Sequence, residues 1–226
     1  MSDALKIALA ICVAGILFYF LTRKWLQANA KDAATPNILF SGIRPLFKDS
    51  QITKGQTIGS WKLVGKYKND VFQLQTVVDT LSTRKLPILW LMVTLPSPQK
   101  ISGTVDMMMR PAGPSTFSNF DFLPCTLQTP FGFPELAVLR TDNLETKSML
   151  HLIQPHAALF MQSSAKELLV SPKGLRIVTM LAEAERARYG VFRQADFGDV
   201  RLASENVQKI MDSLITLHTK LDSYNA

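Results

Sequence analysis

The sequence predicts an α+β fold: one domain with an antiparallel sheet of roughly six to eight strands and an amphipathic C-terminal helix, behind a single N-terminal transmembrane helix. Three observations carry this expectation. Short segments with a two-residue hydrophobic period recur from Trp61 to Val178, separated by Pro, Gly, Asn and Asp. Near the C-terminus the apolar residues recur instead at three- and four-residue steps. The fifteen residues Ile7–Leu21 (IALAICVAGILFYFL) carry no charge.

The uncharged run alone is shorter than the ~20 helical residues a bilayer core requires. Extension from Ala4 through Trp25 and Leu26 reaches that length, with Lys6, Arg23 and Lys24 able to snorkel and with Tyr19 and Trp25 at interfacial depth. A cleavable signal peptide wants its positive charge before the run, whereas Arg23 and Lys24 separate the run from the small residues Ala28-Asn29-Ala30. A buried core helix wants an amphipathic stripe, and none is visible. Residues 1–27 therefore read as a signal-anchor. The membrane-interface residues are Tyr19, Arg23, Lys24 and Trp25. Positive charge after the run (Arg23, Lys24, Lys31) orients the C-terminal domain toward the cytoplasm, on the inner membrane if the source is bacterial.

Two cysteines, one of them within the apolar run, allow no disulfide inside the soluble part, which agrees with a reducing compartment. The net charge of +7 is uneven. Residues 1–100 hold thirteen Lys/Arg against five Asp/Glu, and residues 101–226 hold twelve against thirteen. This places the excess in the half nearer the anchor, where it favours anionic headgroups. No basic run exceeds two residues and no nucleic-acid motif is present, so nucleic acid is not an expected partner.

Residues 28–59 read as a membrane-proximal linker whose apolar pairs (Leu39-Phe40, Leu46-Phe47) fold back onto the domain at 60–226. Trp61–Tyr67 alternates up to the turn at Asn69-Asp70. Over Val71–Val78 the period of two puts Phe72, Leu74, Thr76 and Val78 on one face, a half-buried strand. Leu86–Leu95 is apolar throughout but too short to span a bilayer, as expected of a central strand buried on both faces. Gly103–Arg110, with three methionines, is a further strand.

The connection at 96–135 breaks this texture. It holds seven of the twelve prolines and five phenylalanines, Phe117, Phe120, Phe122, Phe131 and Phe133. These rings are candidates for a partner surface. The competing expectation is that they seal the sheet.

Leu136–Arg140 reads as a strand, and Asp142 with Glu145 as the start of a helix ending before Pro155. A short element covers 156–163. Glu167–Val170 and Leu175–Val178 flank Ser171-Pro172-Lys173-Gly174, a hairpin. Arg188–Gln194 is expected as a strand. The last helix, capped by Ser204, carries Val207, Ile210, Met211, Leu214, Leu217, His218 and Leu221 on one stripe.

Motifs of known chemistry are absent. His151 and His156 lack zinc-site spacing, and Asp196-Phe197-Gly198 has none of the kinase elements that give that tripeptide its role. Neither a phosphate loop nor a nucleophile elbow occurs. No cofactor, metal or catalytic residue is assigned. The densest polar cluster, Arg186, Arg188, Arg193, Asp196 and Asp199, is a candidate anion or carboxylate site.

In layout the chain resembles bacterial single-pass membrane proteins with a cytoplasmic α+β domain behind the anchor, a likeness that carries no residues with it. The leading expectation is a non-enzymatic, membrane-anchored interaction or assembly module, a subunit of a membrane complex, with lipid and protein as partners. The alternatives are a pleckstrin-like lipid- or peptide-binding domain and a membrane-tethered enzyme with an unfamiliar site.

Overall fold

The computed structural model describes residues 15–20, 22, 35–55, 60–81, 86–162, 164–192 and 195–224. The chain divides into two compact units, residues 1–38 and 39–226. In the first, residues 15–20 and 22 are helical, with Tyr19 and its apolar neighbours exposed. Thr22 Oγ1 donates to the carbonyl oxygens of Phe18 and Tyr19, each at 2.9 Å. No helix of the described residues is long and apolar enough to cross a membrane. Most of the Ile7–Leu21 run, with Arg23, Lys24 and Trp25, lies outside those residues.

Among the described residues the second unit holds nine strands: β1 (Lys48–Lys54), β2 (Trp61–Tyr67), β3 (Asp70–Asp79), β4 (Ile88–Leu95), β5 (Val105–Met109), β6 (Cys125–Leu127), β7 (Ala137–Thr141), β8 (Ala165–Ser171) and β9 (Gly174–Glu183). They form one antiparallel sheet in the order β1-β2-β3-β4-β9-β8-β5-β7-β6. Four helices follow the strands in sequence or interrupt them: α1 (Leu150–Ala157), α2 (Leu159–Gln162), α3 (Arg186–Phe192) and α4 (Ser204–Tyr224).

The period-two pattern divides the sheet into two faces. On the main face Leu63, Leu74, Val93, Ile177, Leu168, Met107 and Leu139 line up across β2, β3, β4, β9, β8, β5 and β7, all buried. The stripe of α4 seals them: Val207, Ile210, Met211, Leu214, Leu217 and Leu221 are all buried. Helix α1 lies against α4, joined to it by His156 Nδ1 and Ser213 Oγ at 2.7 Å. An α+β domain with a large antiparallel sheet and a C-terminal helix is thus the observed architecture.

Several elements differ from the expectation. In the stretch read as linker, Leu39, Phe40 and Phe47 do fold back into the core of the second unit, with Ile43, but the stretch also supplies β1 at the sheet edge. Strand β1 (KDSQITK) escaped the alternation pattern because an edge strand needs little apolar surface; Ile52 alone packs on the core. Residues 186–192 form a helix rather than a strand, with Tyr189 N donating to Glu185 O at 3.0 Å. Strand β9 already has β4 and β8 on its two sides, so no free edge beside it awaits another strand. Helix α1 runs through Pro155, whose missing N–H forfeits a single bond on the exposed side of the helix. Its 3-10 lead-in, Leu144–Met149, is capped by Asn143, whose Oδ1 accepts from Glu145 N at 3.0 Å. Asp142, the expected cap, accepts instead from Thr104 N at 2.6 Å.

The second face of the sheet carries a smaller cluster of Val77, Trp90, Met108, Val178, Phe117 and Phe120. The connection at 110–124 folds over it and packs Phe117 against Trp90, ring centroids 5.0 Å apart and planes tilted by 53°. That fold-back leaves room beside it for a polar site.

Candidate functional site

Strand register brings three charged side chains to the second face. Asp106 on β5 stands opposite Leu169 on β8, which stands opposite Arg176 on β9. Glu167, two residues before Leu169, projects to the same side, opposite Met108 and Val178. Asp106 and Arg176 therefore flank Glu167 diagonally. Asp106 is 1% exposed and Glu167 fully buried. Charged groups at such depth require partners.

Glu167 has one on one side. Arg176 Nε and Nη2 both donate to Oε2, at 3.0 and 2.8 Å. Asp106 Oδ2 accepts from Ser118 Oγ at 3.4 Å. The other oxygen of each carboxyl group, Asp106 Oδ1 and Glu167 Oε1, is buried without an ionic or neutral donor. One proton held between the two groups supplies what both lack. Burial first, then the charge of Glu167, then a hydrogen bond to it push Asp106 up to about 9, against the opposing pull of Arg176. Asp106 thus carries the proton at neutral pH and donates toward Glu167. The pair with Arg176 is then neutral, and its one proton does the work of the missing donor.

Arg140 on β7 faces Asp106 across the ladder but is engaged elsewhere. Its Nη1 donates to the carbonyls of Phe120 and Asp121 at 3.3 and 3.0 Å, and its guanidinium lies 5.5 Å from the centre of the Phe120 ring. This holds the 120–122 turn down over the site. On the opposite rim, the β8–β9 turn is fixed by Ser171 Oγ donating to Gly174 O at 3.0 Å and by Gln99 N donating to Pro172 O at 3.0 Å. Gly174 sits at φ +145°, and a Cβ there would strike Leu95 O.

Between the two rims is a cavity of about 400 Å³, lined by Asp106, Arg176, Lys173, Asn119, Thr104 and Ser171, with Leu123, Leu169 and Pro172 as its apolar wall. Its size suits a small ligand. Asp106, Leu169, Ser171 and Arg176 reach it from strands, and Thr104, Asn119, Leu123, Pro172 and Lys173 from the loops and turn at its rims.

The residues singled out from sequence lie elsewhere. Phe117 and Phe120 are buried on the second face and Phe133 in the main core, while Phe122 is 82% and Phe131 100% exposed. Of the polar cluster, Arg186 is exposed at the start of α3; Arg188 lies within that helix, its side chain not described, and Arg193 lies outside the described residues. Asp196 organises its own loop, its carbonyl accepting from Glu185 N and its Oδ1 from Gly198 N, each at 2.9 Å. Asp199 is exposed. Arg186, Asp196 and Asp199 do not line the cavity. The histidines are apart from it too: His151 meets Ser148 O, and His218 meets Ser97 and Gln99. No group of three metal-ligating side chains occurs among the described residues.

Sequence reasoning passed over Asp106, Glu167 and Arg176, though a signal was there. Each is the one charged residue in a short apolar stretch, VDMMM, ELLV and LRIV, of strands buried on the opposite face. A charge there faces either solvent or a partner.

Compared with known proteins, the chain matches no family model and no curated protein.

Proposed function

We propose that the domain is a ligand-binding module, held at a membrane by the apolar N-terminal segment and acting by recognition rather than by reaction. The observation that carries this reading is the cavity, whose lining brings the buried carboxyl group of Asp106 and the guanidinium of Arg176 together. A site built to recognise a ligand needs polar groups whose positions are fixed before the ligand arrives. Strands β5, β8 and β9 fix Asp106, Glu167 and Arg176 in that way. The guanidinium that clamps Glu167 withdraws its carboxylate from chemistry and turns it into scaffolding.

Replacement of Leu169, half-buried in the cavity wall, by Trp fills the space. Native mass spectrometry of the full chain released from membranes in mild detergent then compares wild type with Leu169→Trp. Wild type should retain a bound small molecule or partner that the filled variant has lost. Identical bound species in both would remove the cavity from recognition.

A second reading, attachment to anionic lipid, has its own support. Lys48 on β1 stands opposite Lys66 on β2, and Lys62 lies on the same face. Like charges directly opposite each other destabilise a sheet unless an anion relieves them. The full chain in nanodiscs should show slower amide exchange over 48–66 with phosphatidylglycerol than with phosphatidylcholine, and the difference should vanish in high salt.

A further inference from the structure

We propose that the cavity between β5, β8 and β9 is an oxyanion site, taking a small molecule that carries a carboxylate or phosphate on a short apolar body. The assignment rests on the ligand-binding reading of the cavity and adds the class of ligand. It follows from which groups around the cavity still have hydrogen-bonding capacity, and of what kind.

The lining offers donors. Arg176 uses Nε and Nη2 on Glu167, which leaves the Nη1 amine. Lys173, on the exposed β8–β9 turn, has an ammonium with no ion pair among the described residues, and the hydroxyl of Thr104 and the amide of Asn119 are likewise uncommitted. Ser171 has given its proton to Gly174 O. Of the carboxyl oxygens, Glu167 Oε2 takes two guanidinium hydrogens and Asp106 Oδ2 that of Ser118, and the proton that burial keeps on Asp106 is the one donor for the remaining pair. An entering amine would meet two cations, Arg176 and Lys173. An entering oxyanion finds the guanidinium, the ammonium, a hydroxyl and an amide, the charge-assisted partners it needs.

Charge leads to the same ligand. With one proton shared by Asp106 and Glu167, the two carboxyl groups carry a single negative charge against the positive charges of Arg176 and Lys173. The cavity is left with one uncompensated cation. Leu169 stands beside Arg176 in the ladder and Pro172 precedes Lys173 in the turn, so an anionic head held by the two cations has apolar surface next to it for a body of a few carbons. The 120–122 turn and the β8–β9 turn, each pinned by its own hydrogen bonds, fix the opening.

The test uses the full chain in detergent and follows amide exchange of the 115–123 segment and the 169–176 hairpin while butyrate, butyl phosphate, inorganic phosphate, butylamine and butanol are titrated in turn. Lys173→Gln is the matched variant, chosen because an exposed turn lysine can be lost without unfolding. Protection by butyrate assigns a carboxylate source. Protection by butyl phosphate, beyond that of inorganic phosphate, assigns a phosphate monoester. In either case Lys173→Gln should weaken the effect by about tenfold, the worth of one charge-assisted hydrogen bond. Protection by butylamine or butanol with none by the anions would overturn the oxyanion assignment and leave the cavity a binding site of another class. Protection by no probe would overturn both.

Discussion

Replacing Asp106 by Asn tests the shared proton directly. The amide has the shape of the protonated acid and a hydrogen to give Glu167, but it cannot ionise. In wild type the carboxyl group titrates near 3.8 when unfolded and near 9 when folded. Between those values the folded state holds the extra proton, so this group's contribution to stability is complete below about pH 4 and is lost progressively as pH rises toward 9. The slope cannot exceed about 1.4 kcal/mol per pH unit, so from pH 5 to pH 8 wild type loses at most about 4 kcal/mol relative to Asp106→Asn. For a domain of this size that is up to about 8–16 °C in Tm. Other groups facing Asp106, namely Glu167, Arg176, Ser118 and Arg140, are common to both proteins, so the difference between the two isolates the one proton. Chemical denaturation of both, followed by tryptophan fluorescence at pH 5 and pH 8, reads it. The variant's advantage should grow with pH. An advantage that is constant with pH, or greatest at pH 5, would refute the shared proton and with it the charge balance assigned to the cavity.

Three other outcomes follow from the same structure. Arg176→Gln leaves Glu167 buried without its cation and should cost about 3–5 kcal/mol in equilibrium unfolding, with most of it recovered in the double variant Arg176→Gln, Glu167→Gln. His156 is held down to about 4 by burial and then by Lys220, so its contribution is lost as pH falls from 6.5 through 4; His156→Gln should flatten that acid limb of the stability profile. Phe120→Ala, removing a ring packed on the second face, should cost about 3–5 kcal/mol, whereas Phe131→Ala, with its ring wholly in solvent, should stay within about 0.5 kcal/mol by the same urea titration.

Much of the fold is legible in the sequence because burial on one face imposes a period. The alternation of Phe72 and Leu74, the apolar density of Leu89 to Leu95, the turn Pro172–Gly174 and the stripe from Val207 to Leu221 all survive in the structure where that period puts them. Strands β1 and β6 were not legible, for they are the two edges, where pairing on one side alone and short length relax the pattern. The five phenylalanines were legible as unusual but not as separate. Which of them seal the sheet and which stand in solvent depends on how the 96–135 connection turns, and no local period encodes that. The cavity was the least legible feature. Asp106 lies 61 residues before Glu167 and 70 before Arg176, and only the insertion of β8 and β9 between β4 and β5 makes them neighbours.

That strand order also makes the sheet depend on one hairpin. Strands β1 to β4 form a meander whose pairings are all local, and β5, β6 and β7 pair among themselves. Within the sheet neither half is hydrogen-bonded to the other, and the β8–β9 hairpin, later in sequence than both, stands between them as a keystone. Without that hairpin β4 and β5 would be open edges, and Asp106 would lack both Glu167 and Arg176. The hairpin delivers both at the moment it closes the sheet, so the candidate site cannot exist in a half-built domain. Closure of this kind depends on contacts distant in sequence and is slow. The proton assigned to Asp106 and Glu167 therefore reports that the β8–β9 hairpin is seated between β4 and β5.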